Sequence, residues 1–194
     1  MGKFTKISQN AFNELQVEAG VLLKSFNPAT PELRDEDIVC ATTGGISPSC
    51  VANYSDFAED VDNAPVNMLE FKRITGWECS LGFTALNITA ETIHLALGAA
   101  DVDVQTGKVT PRKELKSADF KDIWWVGDRS DGGFVAIKLL NALSTGGFSL
   151  QTTKNGKGQL SVTLTGHVSA AAQDVMPMEF YVISGTGVSE GVTS

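Results

Sequence analysis

The chain has 194 residues, of which 42% are hydrophobic and 20% charged, and its formal net charge is -8. That length suits one domain, and the apolar share supports a packed core and excludes general disorder. The acidic balance argues against gripping nucleic acid through its phosphates, which takes clustered Lys and Arg.

Residues 1–14 are polar and read as an N-terminal arm. No apolar leader opens the chain, and no apolar run approaches the roughly 20 residues of a membrane span, so an unprocessed chain without membrane insertion is expected. Residues 15–24 read as a first strand, and Pro28 and Pro31 mark a loop after it. Residues 37–54 read as extended chain bent at Gly44-Gly45 or Pro48, and residues 55–67 as a long acidic loop. Residues 77–85 alternate: Trp77, Cys79, Leu81 and Phe83 face one side, Glu78, Ser80, Gly82 and Thr84 the other. Thr89 is an N-cap candidate for a short helix carrying Ile93, Ala96 and Leu97 and ending at Gly98. A weaker helical turn is expected at 117–121.

Strands follow at 123–126 and 134–140, with a turn at 127–133 and a break at Gly146-Gly147. Asn155-Gly156 between the runs 148–153 and 159–168 is a hairpin signal. In the second run Leu160, Val162, Leu164 and Val168 should face in, and Ser161, Thr163, Thr165 and His167 out. A last strand is expected at 178–183, and residues 185–194 form a small, polar C-terminal arm. The expected fold is mainly β and a single domain over 1–194. About eight strands would form two packed antiparallel sheets, a sandwich or open barrel, flanked by one short α-helix.

Charge is uneven. Residues 35–71 hold eight acids and no Lys or Arg, while elsewhere 15 acids face 15 bases. Asp56, Glu59, Asp60 and Asp62 make up the acidic loop: a solvated loop, or a surface that repels an anion or docks on a basic patch. Lys108, Arg112, Lys113, Lys116 and Lys121 are the candidate basic patch. The outward strand positions Ser80, Thr84, Ser149, Gln151, Ser161, Thr163 and Thr165 are short, polar and uncharged. They form either an ordinary polar sheet face or the smooth wall of a channel.

Little points to chemistry. His94 and His167 lack a nucleophile partner, and no GxSxG, HExxH or phosphate-binding loop is present. Asp101 and Asp103 are spaced like loop calcium ligands but lack the glycine and distal Glu of such a loop. Cys40, Cys50 and Cys79 form no CxxC pair and are expected as reduced, packed thiols. No catalysis, metal or cofactor is expected.

Several motifs nevertheless carry a resemblance: Gly76-Trp77-Glu78-Cys79, Phe83-Thr84-Ala85-Leu86, Ile93 to Asp101, Asp119 to Asp128, Asn141 to Leu150 and Thr152 to Gly158. In their order and spacing the chain resembles the major tail tube proteins of long-tailed phages of Gram-positive bacteria, over about residues 17–183. The resemblance implies hexameric rings of this subunit, stacked into a hollow tube lined by one sheet from each copy. It implies a tape measure protein inside the tube, and tail terminator and distal tail or baseplate proteins at its ends. Phage DNA would pass through without sequence-specific binding. The chain would be made in the host bacterial cytoplasm and reside in the virion. In that setting the acidic loop faces the lumen or the basic patch of the next ring. Two alternatives stand beside it. One is a virion β-sandwich module for carbohydrate or adhesion, although adjacent Trp124 and Trp125 must point to opposite faces, so that at least one is buried. The other is the tube protein of a contractile or bacteriocin-like particle, which shares the fold.

Overall fold

Strands dominate because apolar and small polar residues alternate through most of the chain. The computed structural model describes residues 7–8 and 10–185. Ten strands are present among them: β1 (Val21–Leu23), β2 (Thr42–Asp56), β3 (Lys72–Ala85), β4 (Ala100–Asp103), β5 (Lys108–Pro111), β6 (Lys121–Asp128), β7 (Phe134–Ser144), β8 (Ser149–Gln151), β9 (Gln159–Thr165) and β10 (Met178–Ile183). One α-helix, α1 (Ala90–Leu97), lies between β3 and β4.

Eight strands form one antiparallel sheet in the order β1-β6-β7-β9-β3-β2, with β10 on β7 and β8 on β9; β4 and β5 pair separately. β7 joins the two halves. Its first part pairs with β6 and β10, whereas Leu143 and Ser144 pair with β9. The strand changes course at Asn141, which takes a left-handed φ of 47°. Asparagine tolerates that conformation, and here its backbone N–H donates to Asp122 and its side-chain amide to the His167 carbonyl. Both halves contribute to one core. Leu22, Leu81, Leu139, Leu160 and Leu164 are its fully buried leucines, each worth about 2 kcal/mol of apolar burial.

Trp124 and Trp125 point to opposite faces and both are buried. Trp125 enters the main core and donates its indole N–H to the Ala19 carbonyl at 3.0 Å. Trp124 joins a second cluster with Leu23 and Ala136, edge-on to Phe26. α1 starts and stops where the sequence signals. Thr89 and Thr92 form a reciprocal capping box, and Gly98 closes the helix with φ 74°.

Several boundaries differ from the sequence expectations. The first strand is only β1, because Glu18 and Gly20 take positive φ, Gly20 against the Trp125 ring. A Cβ on Gly20 would lie 2.6 Å from the Trp125 indole nitrogen, so residues 15–20 cross that ring instead of pairing continuously. β4 and β5 were not expected. Their turn is held by Asp103, which accepts from the Gln105 and Thr106 backbones and the Thr106 hydroxyl, and by Gly107 with φ 68°. Val168 is exposed rather than inward-facing, because β9 ends at Thr165. Of the two terminal arms, residues 1–6, 9 and 186–194 lie outside the described residues. In the described part of the first arm the Phe12 carbonyl accepts from the Ser130 hydroxyl on the β6–β7 turn, and just after the arm Val17 donates to the Asp128 carbonyl and Ser130 to that of Leu15.

Candidate functional site

The seven polar strand positions come together on one surface. Directly opposed residues of antiparallel strands share a sheet face, and the register sets three rows. Thr43, Thr84, Ser161 and Ser149 form the first. Ser47, Gly82 and Thr163 form the second, and Ser49, Ser80 and Thr165 the third. Gln151 opposes Gln159 at the margin, and the Thr145 and Thr165 hydroxyls meet at 2.7 Å. The reverse face of these strands carries Leu81, Phe83, Leu160, Val162 and Leu164 into the core. Alternation thus puts every apolar residue of β9 on one side and every hydroxyl on the other.

Electrostatically this face is almost blank. Across residues 42–55, 74–85, 149–151 and 159–165 the single charged residue is Glu78, which accepts from the Asn53 amide at 3.0 Å. The hydroxyls of Ser and Thr offer short, rotatable hydrogen-bonding groups without a formal charge to hold a phosphate. Thr43, Ser47, Ser49 and Thr145 belong to this face but were not among the sequence candidates. The alternation of Ser47 and Ser49 was the available signal, obscured by the Gly44-Gly45 bulge and by Pro48.

The second feature is an arm. β3 has β9 as a partner only from Ser80 to Ala85, while its pairing with β2 continues to Asp56 and Lys72. The distal part is therefore a two-stranded ribbon, about 24 Å long at a strand's rise per residue. Isolated ribbons of this kind are marginal in water. Val51, Tyr54, Ile74 and Trp77 stand exposed along it, and Phe57, Val66, Leu69 and Phe71 at its tip. Trp77 is thus outside the core it was expected to join, because the ribbon outgrows that core. The expected loop at 55–67 is this tip, with β2 running on to Asp56 and a 3-10 turn at Leu69–Phe71. Glu59, Asp60 and Asp62 are exposed there, whereas Asp56 is half-buried and accepts from the Ala58 backbone at 3.0 Å.

The basic cluster is not a bare patch. Arg112 is committed within the subunit: Nη2 meets Asp119 at 2.5 Å and Nη1 donates to the Glu114 carbonyl at 2.8 Å. Its Nε lies 2.9 Å from Asp101 without hydrogen-bond alignment. Lys116 shares Asp101 at 3.0 Å. Burial pushes the Asp119 carboxyl up, but the Lys116 N–H and the Arg112 guanidinium outweigh it and hold the group below the usual carboxylate value. Arg112 is therefore withdrawn from the surface patch, because a planar guanidinium is the natural partner of a buried carboxylate. Lys108, Lys113, Lys116 and Lys121 remain exposed.

The two histidines are structural in setting. His167 meets the Asn141 carbonyl at 3.1 Å and packs edge-on to Phe120, and His94 sits in the last turn of α1.

No protein-family model matches the chain, and no curated protein matches it. Among solved structures it is similar to a chain from the "Virion of native gene transfer agent (GTA) particle". The identity is 9%, the TM-score is 0.39, and the match covers 84% of this chain and 95% of that chain.

Proposed function

We propose that this chain is a structural subunit of a phage-type virion. More narrowly, it is a tail tube subunit: copies close into hexameric rings, and rings stack into a hollow tube that conducts DNA. The supporting observation is the face formed by residues 42–55, 74–85, 149–151 and 159–165, broad, short-chained and free of Lys and Arg, with Lys72 and Arg73 lying beyond it at the far end of the ribbon. Facing a lumen, it gives DNA phosphates nothing to hold, so a polyanion slides. β2 is also an edge strand of 15 residues, and such an edge invites a neighbouring strand. The exposed apolar ribbon and acidic tip extend toward the next ring, where Lys108, Lys113 and Lys121 supply counter-charge. The tape measure, terminator and distal tail proteins are the partners this role requires.

The carbohydrate-binding alternative calls for an open aromatic platform; both members of the tryptophan pair are buried, and the exposed aromatics Tyr54, Phe57, Phe71 and Trp77 are strung along the ribbon and its tip. Electron microscopy of concentrated protein, with and without tail extract, tests the proposal. Rings or tubes with an axial channel are expected. Monodisperse monomers under both conditions would overturn it.

A further inference from the structure

Two of the three thiols meet across the hairpin. Cys50 and Cys79 are directly opposed on β2 and β3, and their Sγ atoms lie 2.7 Å apart. Opposed Cα atoms in an antiparallel pair are about 4.5 or 5.5 Å apart, and both spacings fall within the range a disulfide spans. The two side chains point to the same face, so no strand need rotate to join them. Cys79 is buried in the core, whereas Cys50 is partly exposed beside it. The pair also has a distinctive place in the fold. Ser80 is the last residue of β3 toward the ribbon in register with β9, and the Cys79 carbonyl takes the last bond from that side, from the Gly166 N–H at 2.9 Å. The thiols therefore sit where the arm leaves the body.

We propose that Cys50 and Cys79 are an oxidation site, which a low-molecular-weight disulfide converts into a cross-strand bridge that staples the root of the hairpin. Cys50, the accessible thiol, gives up its proton to solvent and attacks one sulfur of the small disulfide. That sulfur–sulfur bond breaks, one small thiol leaves, and a mixed disulfide forms on Cys50. Cys79 then loses its proton and attacks Cys50 Sγ, expelling the second small thiol. Two protein thiols are oxidised, one disulfide is reduced to two thiols, and the two protons end on those leaving groups. Burial, with the neighbouring Cys50 thiol, pushes Cys79 up to about 12. That assigns the first attack to Cys50 and makes closure faster at higher pH. Cys40, buried elsewhere in the core and pushed up by burial to about 11, has no such partner among the described residues. The bridge needs only one folded chain, so it stands whether or not copies assemble.

The test is equilibration of the full chain against oxidised and reduced glutathione at varied ratios, followed by acid quench, alkylation under denaturing conditions and peptide mapping. Under oxidising ratios two of the three cysteines are expected to escape alkylation. The peptides carrying Cys50 and Cys79 should then travel as one until reduced. Cys40→Ser should keep the bridge, and Cys50→Ser should abolish it. The wild-type map decides the matter even if a variant folds poorly. Alkylation of all three thiols at every ratio, a bridge through Cys40 or between chains, or a glutathione adduct that persists on Cys50 would each overturn the proposal.

Discussion

Arg112 illustrates how a residue's apparent role depends on its neighbours. In sequence it belongs to a run of bases, yet its side chain is 13% exposed and its partner Asp119 is 4% exposed. Removing one member of a buried pair strands the other, which costs several kcal/mol. Arg112→Met should therefore destabilise the fold by about 3 kcal/mol at neutral pH, as measured by urea unfolding. The pH dependence follows from the depressed carboxyl of Asp119. Its contribution is fully present above the unfolded value near pH 4 and is lost as pH falls through the lower folded value. The gap between wild type and Arg112→Met should narrow as pH falls below about 4. A gap of constant size from pH 7 to acid would show that the pair is not the cause.

At the scale of elements, the β2–β3 hairpin divides into two parts with different support. The inner part is held by β9 and by core contacts of Leu81, Phe83 and Ala85. The outer ribbon has each strand only for the other and leaves large apolar side chains in solvent. Energetically the outer part contributes little to the body, and functionally it is where a partner surface is available. Replacing residues 57–70 with an Asn-Gly turn should leave thermal unfolding almost unchanged while abolishing assembly, read by calorimetry and sedimentation. A large loss of thermal stability would mean that the tip folds back onto the body. Assembly at wild-type level would remove the tip from the contact.

For the whole molecule, the net charge of -8 and the blank sheet face act together. Assembled wild-type protein should retain little double-stranded DNA. Ser161 and Thr163 are exposed on that face, and surface changes of this kind usually alter stability by less than about 0.5 kcal/mol. The double variant Ser161→Lys with Thr163→Lys should fold and assemble, yet retain DNA in a salt-dependent way, since each added cation can displace counterions from phosphate. Co-sedimentation at low and high salt reads this directly. Failure of the lysine tubes to retain DNA would place the face away from the lumen.

Much of this was legible in the residues themselves. Alternation placed the inward and outward sets over 79–85 and 159–165, though not Trp77 or Val168, and Thr89 and Gly98 marked the helix ends, because these signals act within a few residues along the chain. Contacts between distant segments were not legible. Residues 15–20 lost their strand to the Trp125 ring, β4 and β5 formed around an Asp103 turn, and β7 changed course at Asn141 through bonds to Asp122 and His167. Local periodicity by itself determined a β-rich chain with a helix and a short-chained polar face. Only the tertiary structure decided that this face spans four neighbouring strands, that Arg112 is taken inward, and that Cys50 and Cys79 meet. Strand register and burial join residues far apart in the chain, and the period of a single segment carries no record of its neighbours.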